Sequence, residues 1–296
     1  MDPTVDSRAN ATPAGDAPDA PAEQARFFAN ARGDRLYGVL LAAGSRPARR
    51  PGIVFCAPLS EERHYCQRVI VDHARYLARH GYASLRFDVA GCGDSSGEPV
   101  AATIAGMVAD TRAAIELLLE ASGTPAVVLV GVRFGAMIAS LAADADPRVA
   151  GLVLVAPIVS GASYWNGLLR SQQMSCMTRG LKPPKLDELR QALAVDGQVE
   201  IKGESFGRQF AEELAAVDLL AGPAHFRGPL RVTAADEPAP DGGAEKLCAA
   251  ARTAGCAVAA AGEPVGVFWS SKALYQGFRP EALYAGTLAW LGEHWP

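Results

Sequence analysis

The run Gly131-Val132-Arg133-Phe134-Gly135 stands where an apolar stretch gives way to a helical pattern. Small residues at such a junction let a strand turn abruptly into a helix and thrust the middle residue, here Arg133, out above the sheet. A guanidinium stays protonated and offers five donors and no lone pair, so Arg133 is no nucleophile. Anion binding is the chemistry open to it, because the adjoining helix N-terminus presents free N–H groups that favour negative charge. A burial-prone charge equally demands an internal partner, and Asp236 or Glu237 could neutralise it.

Other reactive side chains fall at neighbouring turns. Glu61, Glu62, Arg63 and His64 open a helical pattern, where two acids in the first turn are favourable on physical grounds alone. They are expected either to hold that helix and the Arg133 network or to contact a ligand. Cys92 lies in the glycine-rich run from Asp88 to Gly97, followed by Ser95 and Ser96. A catalytic thiol needs a base or a cationic neighbour. Among His64, His73, His80, His225 and His294, only His64 is placed to face the same cavity. Cys92 with His64 is the covalent alternative, and Ser60 or Ser95 with His64 is a further one. The histidines are unclustered and the cysteines are not closely spaced, so no metal site is expected. The glycines around residues 91–97 are not followed by the strand-to-helix phosphate-loop pattern with Lys and Ser/Thr, and no cofactor is expected.

The elements that position these residues follow from periodicity. A hairpin is expected at 26–31 and 35–41, turning at Arg32-Gly33-Asp34. Buried-type strands are expected at 52–57, 83–89, 126–130, 151–156 and 229–234, with helices at 64–79, 102–120, 134–143, 243–253 and 281–291. Continuous apolar strands between amphipathic helices indicate an α/β protein with a mostly parallel central sheet flanked by helices. Residues 161–222 interrupt the alternation and read as an inserted helical lid, between core parts 25–160 and 223–296. The lid carries Trp165, Leu168, Leu169, Met174 and Met177 at near-helical spacing, first to pack on the body and second to line a pocket.

Residues 1–24 hold five acids against one base, are rich in Ala and Pro, and read as a disordered acidic tail. That accounts for the whole net charge of −4, so the body is balanced and nucleic acid is not an expected partner. No apolar run reaches the roughly 20 residues needed to cross a bilayer, so no transmembrane segment is expected. The N-terminus lacks the basic-then-apolar pattern of a secretory signal. A cytoplasmic location with six reduced cysteines is the expectation.

The stretch from Ala57-Pro58 through Glu61-Glu62, the run Asp88-Val89-Ala90-Gly91-Cys92-Gly93-Asp94-Ser95-Ser96-Gly97, and Gly131-Val132-Arg133-Phe134-Gly135-Ala136 together resemble the α/β-hydrolase superfamily. Within it the chain is similar to the exosortase-A-system-associated hydrolases and their serine-aminopeptidase-like relatives, over about residues 26 to 296. The resemblance implies an α/β-hydrolase fold with a nucleophilic serine where this chain has Arg133. It puts the acid on Glu237, with Asp236 as the near alternative, and a histidine in the loop 266–271, where this chain has none. Phe268-Trp269 in that loop also resembles the subgroup. Leu59 and Phe134 would lend the backbone N–H groups of an oxyanion site. The expected ligand contacts are thus Leu59, Ser60, Glu62, Phe134 and Trp269, around a small anionic or acyl-type metabolite. The expected function is a degenerate hydrolase-fold protein that binds such a metabolite and either stops there or transforms it without a serine nucleophile. The alternatives are an acyl hydrolase or acyltransferase using Cys92 with His64, and a non-catalytic module for a protein partner. A homodimer is left open.

Overall fold

The structure is a computed structural model and describes residues 21–43, 49–220, 226–234, 243–262 and 265–296. Strands β1 (Glu23–Ala29) and β2 (Arg35–Leu41) form the opening antiparallel hairpin, with Phe27 opposite Tyr37. The alternation follows: β3 (Arg49–Cys56), α1 (Ser60–Arg79), β4 (Tyr82–Phe87), α2 (Ile104–Ser122), β5 (Val127–Val132), α3 (Phe134–Ala145) and β6 (Val149–Val155). After an insertion come β9 (Leu230–Thr233), α7 (Gly243–Thr253), β10 (Val258–Ala261), α8 (Ser271–Tyr275) and α9 (Glu281–His294). The eight strands lie in the order β1-β2-β4-β3-β5-β6-β9-β10. β2 runs antiparallel to β4, and every pairing from β4 to β10 is parallel.

Parallel neighbours need helical crossovers, which cover both faces and require both to be apolar. Along β5 the alternation is direct. Val127 and Leu129 pack with Leu118 of α2 and Ala136 and Ala139 of α3. Val128, Val130 and Val132 pack on the opposite face with Leu77 of α1 and Trp290 of α9. Among the described residues, no helix is long and apolar enough to cross a membrane.

The insertion between β6 and β9 holds three helices, α4 (Gly161–Thr178), α5 (Leu186–Asp196) and α6 (Arg208–Ala216). It also holds an antiparallel hairpin that the all-helical expectation missed, β7 (Gln198–Ile201) and β8 (Glu204–Gly207). Four-residue strands are too short for periodicity to declare, but Lys202 (φ 52) and Gly203 (φ 85) form the two-residue turn that such a hairpin needs. Trp165, Leu169, Phe206, Phe210 and Leu214 of the insertion share a third core with Leu59, Met107, Phe134, Met137 and Ile138.

Two expectations shift. Residues 1–20 lie outside the described residues, but Glu23 and Gln24 belong to β1 rather than to a tail. The Glu23 carboxylate accepts from Arg75 Nε at 2.5 Å and Arg86 Nη2 at 3.4 Å, which ties the strand to α1 and β4. Trp165 and Leu169 are buried as expected, but Met174 and Met177 are 63% and 60% exposed. At about 100° per residue, Met174 stands on the far side of α4 from Trp165.

His73 is a core residue, stacked on Tyr284 at 4.8 Å and edge-on to Phe55 at 5.4 Å. Its Nε2 has no hydrogen-bond partner. Burial, helped by the charge of Arg231, lowers its pKa from 6.5 to about 3. The unfolded chain therefore binds a proton that the folded chain refuses, and stability should fall as pH drops from 6.5 toward 3. The limiting slope for one such group is about 1.4 kcal/mol per pH unit. His73→Phe should fold and lose stability more slowly than wild type in denaturant titrations at pH 7, 6, 5 and 4. Equal slopes would show that His73 is not the group.

Candidate functional site

The turn between β5 and α3 is set by two glycines. A Cβ on Gly131 would lie 2.5 Å from Ala136 Cα, and one on Gly135 would lie 2.5 Å from Ala57 O and also collide with Cys56 O. The first turn of α3 therefore presses backbone to backbone against the end of β3. Arg133, between the glycines, has φ 55 and ψ −119, a backbone conformation that L residues rarely adopt. Its N–H donates to Val155 O at 2.9 Å, and its carbonyl accepts from Ala136 N at 3.0 Å. Phe134 opens α3, so its N–H has no partner within the helix. Ser60, opening α1, also has a positive φ of 57.

The Arg133 side chain is half-buried and is held on two sides. Nε and Nη2 donate to the same oxygen, Glu62 Oε1, at 3.2 and 3.1 Å. The guanidinium carbon stands 5.1 Å from the centre of the Trp269 ring, a cation–π contact. Trp269 is braced in turn by the buried Phe268, ring to ring at 5.1 Å. Glu62 Oε2 is buried without a hydrogen-bond partner. Burial pushes the Glu62 carboxyl above its ordinary range, although Arg133 and Lys202 pull the other way. Tyr164 of α4 stacks on Phe134 at 5.8 Å. Burial, reinforced by the negative charge of Glu62, holds its phenol well above the usual range.

The neighbours of Glu62 on the chain fan outward. Glu61 receives Lys202 Nζ at 2.7 Å from the tip of the β7–β8 hairpin, and the Lys202 backbone N–H donates to Gln172 Oε1 at 2.7 Å. Arg63 Nη2 donates to Asp88 Oδ1 at 2.7 Å at the end of β4.

Leu59, Ser60, Arg63, Cys92, Phe134 and Ile138 line one cavity of about 40 Å³ beside the turn. Burial pushes the Cys92 thiol up despite the opposing charge of Arg63, so this thiol is not activated at neutral pH. His64 is exposed and lines a different depression, of about 470 Å³, with Gln67 and Asp94. No hydrogen bond joins His64 to Cys92 among the described residues. Ser95 is committed to the fold: its Oγ donates to Asp88 O at 2.6 Å and accepts from Tyr37 N at 2.8 Å.

The structure thus brings Arg133, Glu62 and Trp269 together and groups Leu59, Ser60, Phe134 and Cys92 around one cavity, with His64 apart. Asp236 and Glu237 lie outside the described residues. Among the described residues, no group of three or more His, Cys, Asp or Glu side chains could hold a metal ion. One organising residue escaped sequence reasoning. Asp110, only 1% exposed, accepts from Asn30 Nδ2 at 2.6 Å, Arg32 Nη2 at 3.0 Å and Ala90 N at 2.9 Å. It ties the first hairpin turn and the glycine-rich loop to α2. The available signal was an acid at the spacing of the apolar stripe, three residues after Met107.

A hairpin leading into a doubly covered parallel sheet, with a strained strand-turn-helix at the carboxyl end of its central strand, defines the class: the chain has the α/β-hydrolase fold. Residues 63–204 match the model of a hydrolase family described as serine aminopeptidase, S33. The fold is similar to that of Est1E from Butyrivibrio proteoclasticus with bound ferulic acid, at 17% identity over 89% of this chain and 98% of that one, with a TM-score of 0.62. It is also similar to a Pyrococcus furiosus esterase, at 14% identity over 93% and 92% of the two chains, with a TM-score of 0.62. A third likeness is to α/β hydrolase domain-containing protein 10 from mouse, at 16% identity over 91% and 99%, with a TM-score of 0.59. No curated protein sequence matches the chain.

The backbone contact at the turn makes a direct prediction. Gly135→Ala should destabilise the fold by about 3 kcal/mol, since its Cβ meets carbonyl oxygens that cannot give way. Gly167→Ala, in α4 with nothing within 4 Å of the added carbon, should stabilise by up to about 1 kcal/mol. Denaturant unfolding of both variants checks the pair, and a neutral Gly135→Ala would contradict the close approach.

Proposed function

We propose that this protein binds a small carboxylate- or acyl-bearing metabolite at the β5–α3 turn and works without a serine nucleophile. The observation that carries this is Arg133 itself, held at φ 55 and ψ −119 with its guanidinium half-buried between Glu62 and Trp269. A backbone strained by about 1–3 kcal/mol persists only where its surroundings over-determine it, and such positions cluster at functional sites. Here the strained residue presents five donors at the carboxyl edge of the sheet, where ligands of open α/β sheets bind. The N–H groups of Leu59 and Phe134 would receive a ligand oxygen beside the guanidinium. Any reaction would then proceed by positioning and charge stabilisation. The likeness to esterases, one of them holding ferulic acid, is in keeping with such a ligand while resting on shared fold alone. A displaced nucleophile draws less support, because burial raises the Cys92 thiol and His64 faces another depression.

Arg133→Ala should lose binding of small carboxylates such as propionate or benzoate in calorimetric titrations. Removing one charge-assisted contact should cost about 1.5–3 kcal/mol. The fold should survive, because Glu62 can take up a proton rather than remain a buried unpaired charge. Unchanged affinity in the variant would sink the anion role of Arg133. Fluorophosphonate probes should leave the protein unlabelled in intact-mass spectra, and a stoichiometric adduct on any serine would refute the absence of a serine nucleophile.

A further inference from the structure

We infer that Glu62 occupies the ligand's place on Arg133, and that a carboxylate ligand enters by exchange, displacing Glu62 as that side chain takes up a proton. This rests on the anion-binding reading of the turn and deepens it by naming what the ligand replaces.

The geometry is that of a replaceable partner. Arg133 directs two donors, Nε and Nη2, at one oxygen of Glu62. A guanidinium fork prefers two oxygens side by side, one for each N–H. Glu62 leaves its second oxygen, Oε2, buried and without a hydrogen-bond partner. A free carboxylate approaching the same edge of the fork could supply both oxygens. The indole of Trp269 covers a face of the guanidinium and leaves its edges to oxygen acceptors, and the Nε–Nη2 edge is the one that Glu62 holds.

Charge then dictates a proton. Two carboxylates crowded on one half-buried guanidinium repel each other, and the site resolves this when one becomes neutral. The surroundings leave Glu62 as the group that changes. Arg133 faces it from the turn and stays cationic. Lys202 acts on it from the insertion hairpin and is committed to Glu61, its neighbour on α1. Tyr164 faces it from α4, and Cys66 lies one turn along α1. Burial holds both the phenol and the thiol in their neutral forms through the physiological range. Glu62 is the acid whose carboxyl burial already pushes upward, so its protonation costs least. The balance is simple: one anion and one solvent proton enter together, the proton resides on the Glu62 carboxyl, and the net charge of the site is unchanged.

Calorimetry with propionate and with methanesulfonate, which stays anionic throughout, tests this between pH 6 and pH 8 in buffers of different ionisation enthalpy. Wild type should bind more tightly as pH falls, by up to about tenfold per unit, with uptake approaching one proton per anion. Glu62→Gln, a permanent mimic of the neutral acid, should bind at pH 8 at least as tightly as wild type does at pH 6, with no proton uptake. Binding that depends on Arg133 but shows no uptake in wild type and no gain in Glu62→Gln would overturn the exchange and leave the anion site intact. Binding indifferent to Arg133→Ala, or no binding by wild type and Glu62→Gln at any pH, would overturn the anion site and the exchange with it. Proton uptake is read on the wild-type protein, so the test stands even if the variant folds poorly.

Discussion

The first turn of α3 touches the end of β3 with no room for a side chain between them. At Gly135 an added carbon would meet the carbonyl oxygens of Cys56 and Ala57, and at Gly131 it would meet the backbone of Ala136. That approach fixes the direction of α3, and α3 fixes much else. It holds Arg133 in a strained backbone conformation and opens the helix N-terminus beside Leu59. It also presents Phe134, Met137 and Ile138 to the insertion, which buries Trp165, Phe206 and Phe210 against them. Site and third core are therefore two results of one backbone contact.

The first turn of α1 organises the charges around that contact. Glu61, Glu62 and Arg63 are consecutive, yet each pairs with a different part of the molecule: the insertion hairpin, the β5–α3 turn and the end of β4. A helix places successive residues about 100° apart, so three adjacent side chains can reach three directions. Acids in a first turn are favourable for any helix, which makes this run look ordinary in sequence. Its specificity lies in its partners, which are separated from it by between 25 and 141 residues.

The apolar alternation of the core strands was legible because burial on both faces leaves a pattern that depends on local sequence alone. β5, α3 and α7 sit within two residues of where periodicity put them. The β7–β8 hairpin was not legible, since two strands of four residues carry too few alternations for a period to declare itself. The site divides in the same way. Arg133 was found because glycines announce a sharp turn, whereas Glu62 was only one of four residues opening α1 that could join its network, since a pairing across 71 residues leaves no local mark. Asp110 is the instructive omission. A buried carboxylate satisfied by Asn30, Arg32 and Ala90 looks in sequence like a break in an apolar stripe.

What the site lacks is as physical as what it holds. Arg133 is a donor without a lone pair, and the indole of Trp269, which covers it, offers a π face and a donor rather than a basic nitrogen. Neither can attack a carbonyl or accept a proton. Among the described side chains that touch this pair, the acceptor is Glu62, and the guanidinium consumes one of its two oxygens. Such a constellation is suited to holding negative charge in a poorly solvated place, where a preorganised donor is worth more than it is in water. The strained turn sets a cation above the carboxyl edge of the sheet, and Glu62 and Trp269 fix where that cation stands.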